Sequence, residues 1–143
     1  MIDTSGEYWR GSEPADIAEW LRAYSEEEAL DVKPVVCKAC GSYDLQQIGD
    51  QDEGAVQIKC ASCGTKKLLL DSAEYWKEVS HRTIKCGVCK AKVFNVAVGF
   101  SRRANGQVRW VWIGARCTNC HTLGSAFDWK IDYEPTDEME KNI

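Results

Sequence analysis

Eight cysteines fall into four CxxC pairs, Cys37/Cys40, Cys60/Cys63, Cys86/Cys89 and Cys117/Cys120, and no cysteine is left over. Each pair places two thiolates on one tight turn, and two such turns close a tetrahedral four-sulfur site. The spacing therefore predicts two structural Zn²⁺ ions per chain, with iron in a rubredoxin-like site as the alternative metal. Closed sites of this kind keep no coordination position open for a substrate, so the cysteines speak to folding rather than to catalysis.

Other cysteine chemistry fits less well. A secreted disulfide protein needs a leader, and Met1 to Glu7 shows neither basic residues nor an apolar run, so the expected compartment is cytoplasmic. A redox CxxC should stand alone in a βαβ pattern, whereas four pairs recur here between short strand-like segments. His121 follows Cys120 directly, but the four sulfurs already complete the set, and His81 has no partner pattern. There is no His/Glu metal motif, no glycine-rich phosphate loop and no Ser/His/Asp arrangement, so neither an enzyme nor a small-molecule substrate is expected. No apolar stretch is long enough for a bilayer, and no membrane partner is expected.

The elements that must position the thiolates are hairpins. Nineteen residues separate Cys40 from Cys60 and 27 separate Cys89 from Cys117, each enough for two strands and a turn. In the first module, Leu45 and Ile48 lead to a turn across residues 49–54, with an acidic tip at Asp52-Glu53, and Val56 and Ile58 return. In the second, Phe94, Val96, Val98 and Phe100 alternate along one strand, Asn105-Gly106 signals a type I′ turn, and Val108, Trp110 and Trp112 alternate on the return. Third strands are expected over residues 66–70 and 126–131. The turns need a residue tolerant of an unusual backbone angle after the second thiolate. Gly41 and Gly64 supply it in the first module, whereas Lys90 and His121 stand there in the second and predict less regular turns.

Ahead of these modules, Ser12 and Pro14 read as a helix start, and Ile17, Trp20, Leu21 and Tyr24 form one apolar stripe expected to dock on the chain's own strands. Pro34 ends that region. Residues 71–79 suggest a short bridging helix, and the acidic run after Pro135 reads as a mobile tail.

Charge is segregated. Residues 77–116 carry one acid, Glu78, against nine bases, while residues 1–34 carry nine acids against three bases. The basic block, with Arg102 and Arg103 at the second hairpin's tip and with Arg109, Trp110, Trp112 and Arg116, is the candidate partner-binding set. A protein partner is the leading expectation. The alternative is nucleic acid, with arginines on phosphates and a tryptophan stacked on a base, against which the net charge of −4 argues.

Over residues 35–132 the chain resembles the zinc-ribbon superfamily. The resemblance rests on the turns Cys37-Lys38-Ala39-Cys40-Gly41, Cys60-Ala61-Ser62-Cys63-Gly64, Cys86-Gly87-Val88-Cys89 and Cys117-Thr118-Asn119-Cys120, with strands between them. Its C-terminal stretch from Arg109 to Tyr133 also resembles small uncharacterised bacterial proteins with two ribbons. The resemblance implies a small, metal-stabilised, mainly β fold of two zinc ribbons with an N-terminal amphipathic helix. The expected units are an acidic helical segment over 1–34, a first ribbon over 35–70, a connecting segment over 71–84, a second ribbon over 85–133 and an acidic tail over 134–143. Zinc ribbons serve as transcription factors, ribosomal proteins, polymerase subunits and adaptors, so fold alone does not choose among them. The expected role is a non-catalytic zinc-binding module that binds a macromolecule, as an adaptor, accessory factor or inhibitor, or alternatively as a transcription-associated nucleic-acid binder.

Overall fold

Strand-prone segments between the cysteine turns pair into sheets in the computed structural model, which describes residues 1–143. The N-terminal stretch gives β1 (Ile2–Asp3), β2 (Arg10–Gly11), α1 (Asp16–Ser25) and β3 (Asp31–Val35). The first cysteine module supplies β4 (Leu45–Asp50), β5 (Ala55–Cys60) and β6 (Lys66–Leu68). Two 3₁₀ turns, Ser72–Glu74 and Trp76–Glu78, stand where a short helix was expected, and β7 (Arg82–Thr83) follows. The second module supplies β8 (Phe94–Arg102), β9 (Val108–Cys117) and β10 (Leu123–Lys130), and α2 (Asp137–Glu140) closes the chain.

β1 and β2 pair with each other, and the other eight strands form a single sheet ordered β10-β9-β8-β4-β5-β6, with β3 on β8 and β7 on β4. The two modules meet where Leu45 of β4 pairs with Phe94 of β8. β8 is buried on both faces. Val96, Val98 and Phe100 join Val56, Ile58, Val111, Ile113 and Phe127 in one core, which also contains Cys37, Cys60, Cys86 and Cys117. Each such buried side chain contributes about 1.5–3 kcal/mol, so the sheet has an apolar core common to both modules in addition to its sulfur sites.

The N-terminal stretch differs from the amphipathic helical segment expected over 1–34. Strands occupy both its ends, and α1 has ten residues with Ala15, not Ser12, at its cap and no capping side chain. Of the expected stripe only Ile17 and Leu21 are buried, while Tyr24 is 52% exposed and Trp20 half-buried. The reason lies in the strands beneath. A Cβ on Gly114 would meet Ile17 and Leu21 at 2.7 Å, and one on Gly99 would meet Leu30 at 2.7 Å. The small residues of β8 and β9 thus admit aliphatic side chains. Pro34 lies inside β3 instead of ending the region. It is tolerated there because β3 bonds to β8 alone and its other edge needs no N–H.

Two further expectations change. The second hairpin closes with Gly106 N–H on Arg103 C=O (2.9 Å) and Arg103 N–H on Gln107 C=O (2.7 Å). Gly106 has φ +86° but Asn105 stays at negative φ, so the loop is a three-residue turn with a left-handed glycine in place of type I′. The acidic tail docks instead of hanging free. Thr136 and Met139 are buried, the Thr136 hydroxyl accepts Val108 N–H at 3.1 Å, and Asn142 exchanges hydrogen bonds with Leu70.

Candidate metal centres

The eight thiols gather into two sets, Cys37/Cys40/Cys60/Cys63 and Cys86/Cys89/Cys117/Cys120, each with its four sulfurs within 4.8 Å of one another. Each set is drawn from one module, so neither is crossed. Sulfur–sulfur distances of 3.6 Å for Cys37–Cys63 and 3.5 Å for Cys40–Cys60, Cys86–Cys120 and Cys89–Cys117 are far beyond a disulfide bond of about 2.05 Å. Either set could hold a metal ion.

One backbone device builds all four turns. The N–H of the residue after the second cysteine donates to the carbonyl of the first: Gly41 to Cys37 (2.7 Å), Gly64 to Cys60 (3.0 Å), Lys90 to Cys86 (2.9 Å) and His121 to Cys117 (2.9 Å). These four residues sit at φ +76°, +78°, +67° and +69°. The second module's turns are therefore as regular as the first's, contrary to expectation, and Lys90 and His121 carry the left-handed strain that glycine avoids. His121 owes its place to this backbone position, and its ring is not part of the sulfur set.

The thiols are electrostatically unequal. The hydroxyl and backbone of Thr65 hold the Cys63 thiol down to about 6. Asn119 chiefly does the same for Cys89, also down to about 6. The Ser42 N–H pulls Cys40 downward, but hydrogen bonding with Cys60 and burial overcome it and push Cys40 up to about 12. Burial pushes Cys117 up to about 12. Lowered and raised thiols thus stand side by side in each set through hydrogen bonding and burial; a bound cation would strip the remaining protons.

Thr65 and Thr122 went unremarked in the sequence. Each hydroxyl lies 3.1 Å from the sulfur two residues before it, Cys63 and Cys120. The signal was legible: both second turns read Cys-x-Thr, with the threonine backbone also accepting the N–H of the leading cysteine.

The candidate partner-binding residues do not form one free basic face. Arg116 is 8% exposed and donates to Gly11 C=O (2.6 Å), Ser12 C=O (3.2 Å) and Asn95 Oδ1 (3.0 Å). Arg102 pairs with Asp31 and Glu140, both at 2.8 Å, and Arg109 pairs with Glu27 at 2.9 Å. Arg103 donates to Val108 and Ile131 carbonyls. The acidic termini thus neutralise the tip that composition alone marked as basic. Trp110 and Trp112 do lie together, 6.1 Å between ring centroids, and the row continues to Tyr24 (5.9 Å from Trp112) and on to Trp20 (4.7 Å from Tyr24). The contribution of α1 to that row was not foreseen.

No helix is long and apolar enough to cross a membrane. No family model matches the chain, and neither a curated protein nor a solved structure matches it.

Proposed function

We propose that the chain is a non-catalytic zinc-binding module that acts by binding another protein. The observation that carries this reading is the closure of both sulfur sets: all eight cysteines are used, four to a set, within 4.8 Å. Tetrahedral Zn²⁺ with bonds of about 2.3 Å to sulfur needs sulfur–sulfur edges of about 3.8 Å, near the 3.5 and 3.6 Å separations here. A four-thiolate shell suits zinc and keeps no open position. Zinc bound this way would hold Cys37 to Cys60 and Cys86 to Cys117 at the base of the sheet and leave the outer surfaces for recognition.

The aromatic row Trp20, Tyr24, Trp112 and Trp110 supports a protein partner. Tyr24 is exposed and Trp20, Trp110 and Trp112 are half-buried; tryptophan and tyrosine are among the residues that anchor protein interfaces. Internal pairing of Arg102, Arg103 and Arg109 with carboxylates and of Arg116 with backbone carbonyls and Asn95 weighs against nucleic acid, since phosphate contacts would have to displace those partners. Affinity capture from native lysate, with and without nuclease, tests the reading. A nuclease-resistant protein partner whose capture is lost in Tyr24→Ala is the expected result. A complex that nuclease abolishes would overturn it.

A further inference from the structure

Away from the aromatic row, the edges of β7 and β10 face each other across a cleft without pairing. β7 bonds only to β4, and β10 bonds along its length only to β9. The outer edge of β10 is tied at its start, by Leu123 N–H on Trp9 C=O (2.8 Å), and at the bulge in its middle, by Gln51 Nε2 on Ala126 C=O (3.0 Å). Between these ties lies a cavity of about 460 Å³, flanked by Arg82 to Val88 on one side and Thr122 to Ala126 on the other. Each flank is long enough for several residues of extended chain at about 3.3 Å per residue.

Gln47 lies at the floor. It is 1% exposed, and its Oε1 has no hydrogen-bond partner. An unpaired buried amide oxygen costs about 1–3 kcal/mol, and an apolar residue of similar size would avoid that cost. The group makes sense if a ligand completes it. A carboxamide offers an acceptor and a donor side by side, the complement of a peptide group.

The ionised side chains at the mouth are cations, set beside Cys86 of the second sulfur set. Arg82 and Lys85 line the cleft, no carboxylate does, and neither cation takes part in an ion pair. This contrasts with the neutralised arginines of the second hairpin in a chain of net charge −4. Past Tyr8 and Val88 the groove opens into a neighbouring hollow that carries Asp3 and Glu7 with a single cation, Arg10. The demand for negative charge is therefore confined to the Arg82 end.

We propose that this cleft binds an extended peptide segment of a partner protein. The segment adds as a strand between β7 and β10, hydrogen-bonds a peptide group to Gln47 and sets an acidic side chain between Arg82 and Lys85. Strand addition supplies affinity through backbone groups and selectivity through alternate side chains. The site shares no residue with the aromatic row, so it extends the protein-binding reading and can fail without it.

The test is an amide-resolved NMR titration of the full, metal-loaded chain with three probes: a pool of capped hexapeptides of Val, Thr and Ser with one central Glu, the same pool with Lys for Glu, and a mixture of mononucleotides. The Glu pool is expected to shift the amides of Thr83, Lys85, Leu123 and Ser125 saturably, and the Lys pool to leave them unmoved. Arg82→Glu with Lys85→Glu, two exposed positions, should weaken the Glu pool by about tenfold or more. Gln47→Leu should weaken it similarly while the melting temperature holds or rises, because the orphan oxygen is gone. The proposal is overturned if the Glu pool gives no saturable shift, if the Lys pool binds equally, if mononucleotides shift these amides in place of peptides, or if both variants bind as wild type. The indole signals of Trp110 and Trp112 report the aromatic row separately in the same spectra.

Discussion

The two sulfur sets are built on the same turns but stand in different surroundings. In the first, Cys37 and Cys60 are buried while Cys40 and Cys63 are exposed; in the second, Cys86 and Cys117 are buried and Cys89 and Cys120 half-buried. The first set sits on strands of six residues, the second on strands of nine and ten. The first uses Gly41 and Gly64 at the left-handed positions, the second Lys90 and His121. The same turn geometry thus recurs with glycine or with a larger residue, whereas the burial of each set follows the strands behind it. The second set thus has the longer strands and the better-buried sulfurs.

The largest expected effect comes from removing one sulfur from each set. Structural zinc contributes about 10–16 kcal/mol of binding free energy, as much as or more than the stability of a typical domain. Cys117→Ser strikes a fully buried atom at the end of β9 and should abolish the cooperative melting transition. Cys63→Ser strikes an exposed sulfur and should lose one metal and the amide protection of β4 and β5, while β8 and β9 stay protected in hydrogen exchange. Equal collapse of both would mean that the shared core does not separate the modules, and the comparison would break.

Acid should separate the sets next. A bound metal would hold every thiolate deprotonated, and protons would compete for the same sulfurs, so affinity should fall as pH falls. Cys63 and Cys89, held to about 6, stay thiolate at neutral pH and take up protons only as pH drops through that value. Metal release should therefore steepen below about pH 6, with the exposed first set emptying before the second. A colorimetric chelator assay on wild type and on Cys63→Ser resolves the order; simultaneous release would contradict it.

The third contrast concerns the turns themselves. Lys90→Gly and His121→Gly relieve left-handed backbone and should each stabilise by about 0.5–1 kcal/mol, while Gly41→Ala and Gly64→Ala should each destabilise by about 1 kcal/mol. Space is not the issue, since a Cβ on Gly41 or Gly64 would meet nothing within 4 Å. Chemical denaturation of the four variants measures both signs. If the glycine substitutions in the second module destabilise, the side chains of Lys90 and His121 contribute something the backbone does not explain.

The smallest effect is expected at the first hairpin's tip. Asp50 accepts N–H bonds from Ser80, Glu53 and Asp52, and the first two of these chiefly hold its carboxyl below the ordinary range. Its contribution is complete above the usual carboxylate pKa and fades as pH falls through the lowered value. Asp50→Asn should speed amide exchange at Asp52, Glu53 and Ser80 and leave the second hairpin's tip unchanged.

Much of this was legible from residue spacing. The four CxxC pairs gave both sulfur sets and their partition between modules, and period-two patterns gave β8 and β9, because thiolate geometry and pleat alternation are local. What stayed hidden was set by partners distant in sequence. Arg116 and Arg102 read as surface cations, yet their acceptors are Gly11, Ser12 and Asn95 in one case and Asp31 and Glu140 in the other. Met139 and Thr136 sit in a run that reads as solvated tail, and only the hollow beside Val108 and Leu70 makes them part of the core. Ile17 and Leu21 were legible as apolar, but their selection over Trp20 and Tyr24 depended on Gly114 lying beneath them. Gln47 gave no signal at all, since a glutamine on a strand is unremarkable until its burial is known.

Native mass spectrometry of the purified chain, combined with X-ray absorption at the bound metal, reads the number, identity and ligand shell of the ions. Two zinc ions per chain are expected, each in a shell of four sulfurs and no nitrogen or oxygen. One ion per chain, iron in place of zinc, a mixed ligand shell, or a folded metal-free chain with disulfides would contradict that expectation.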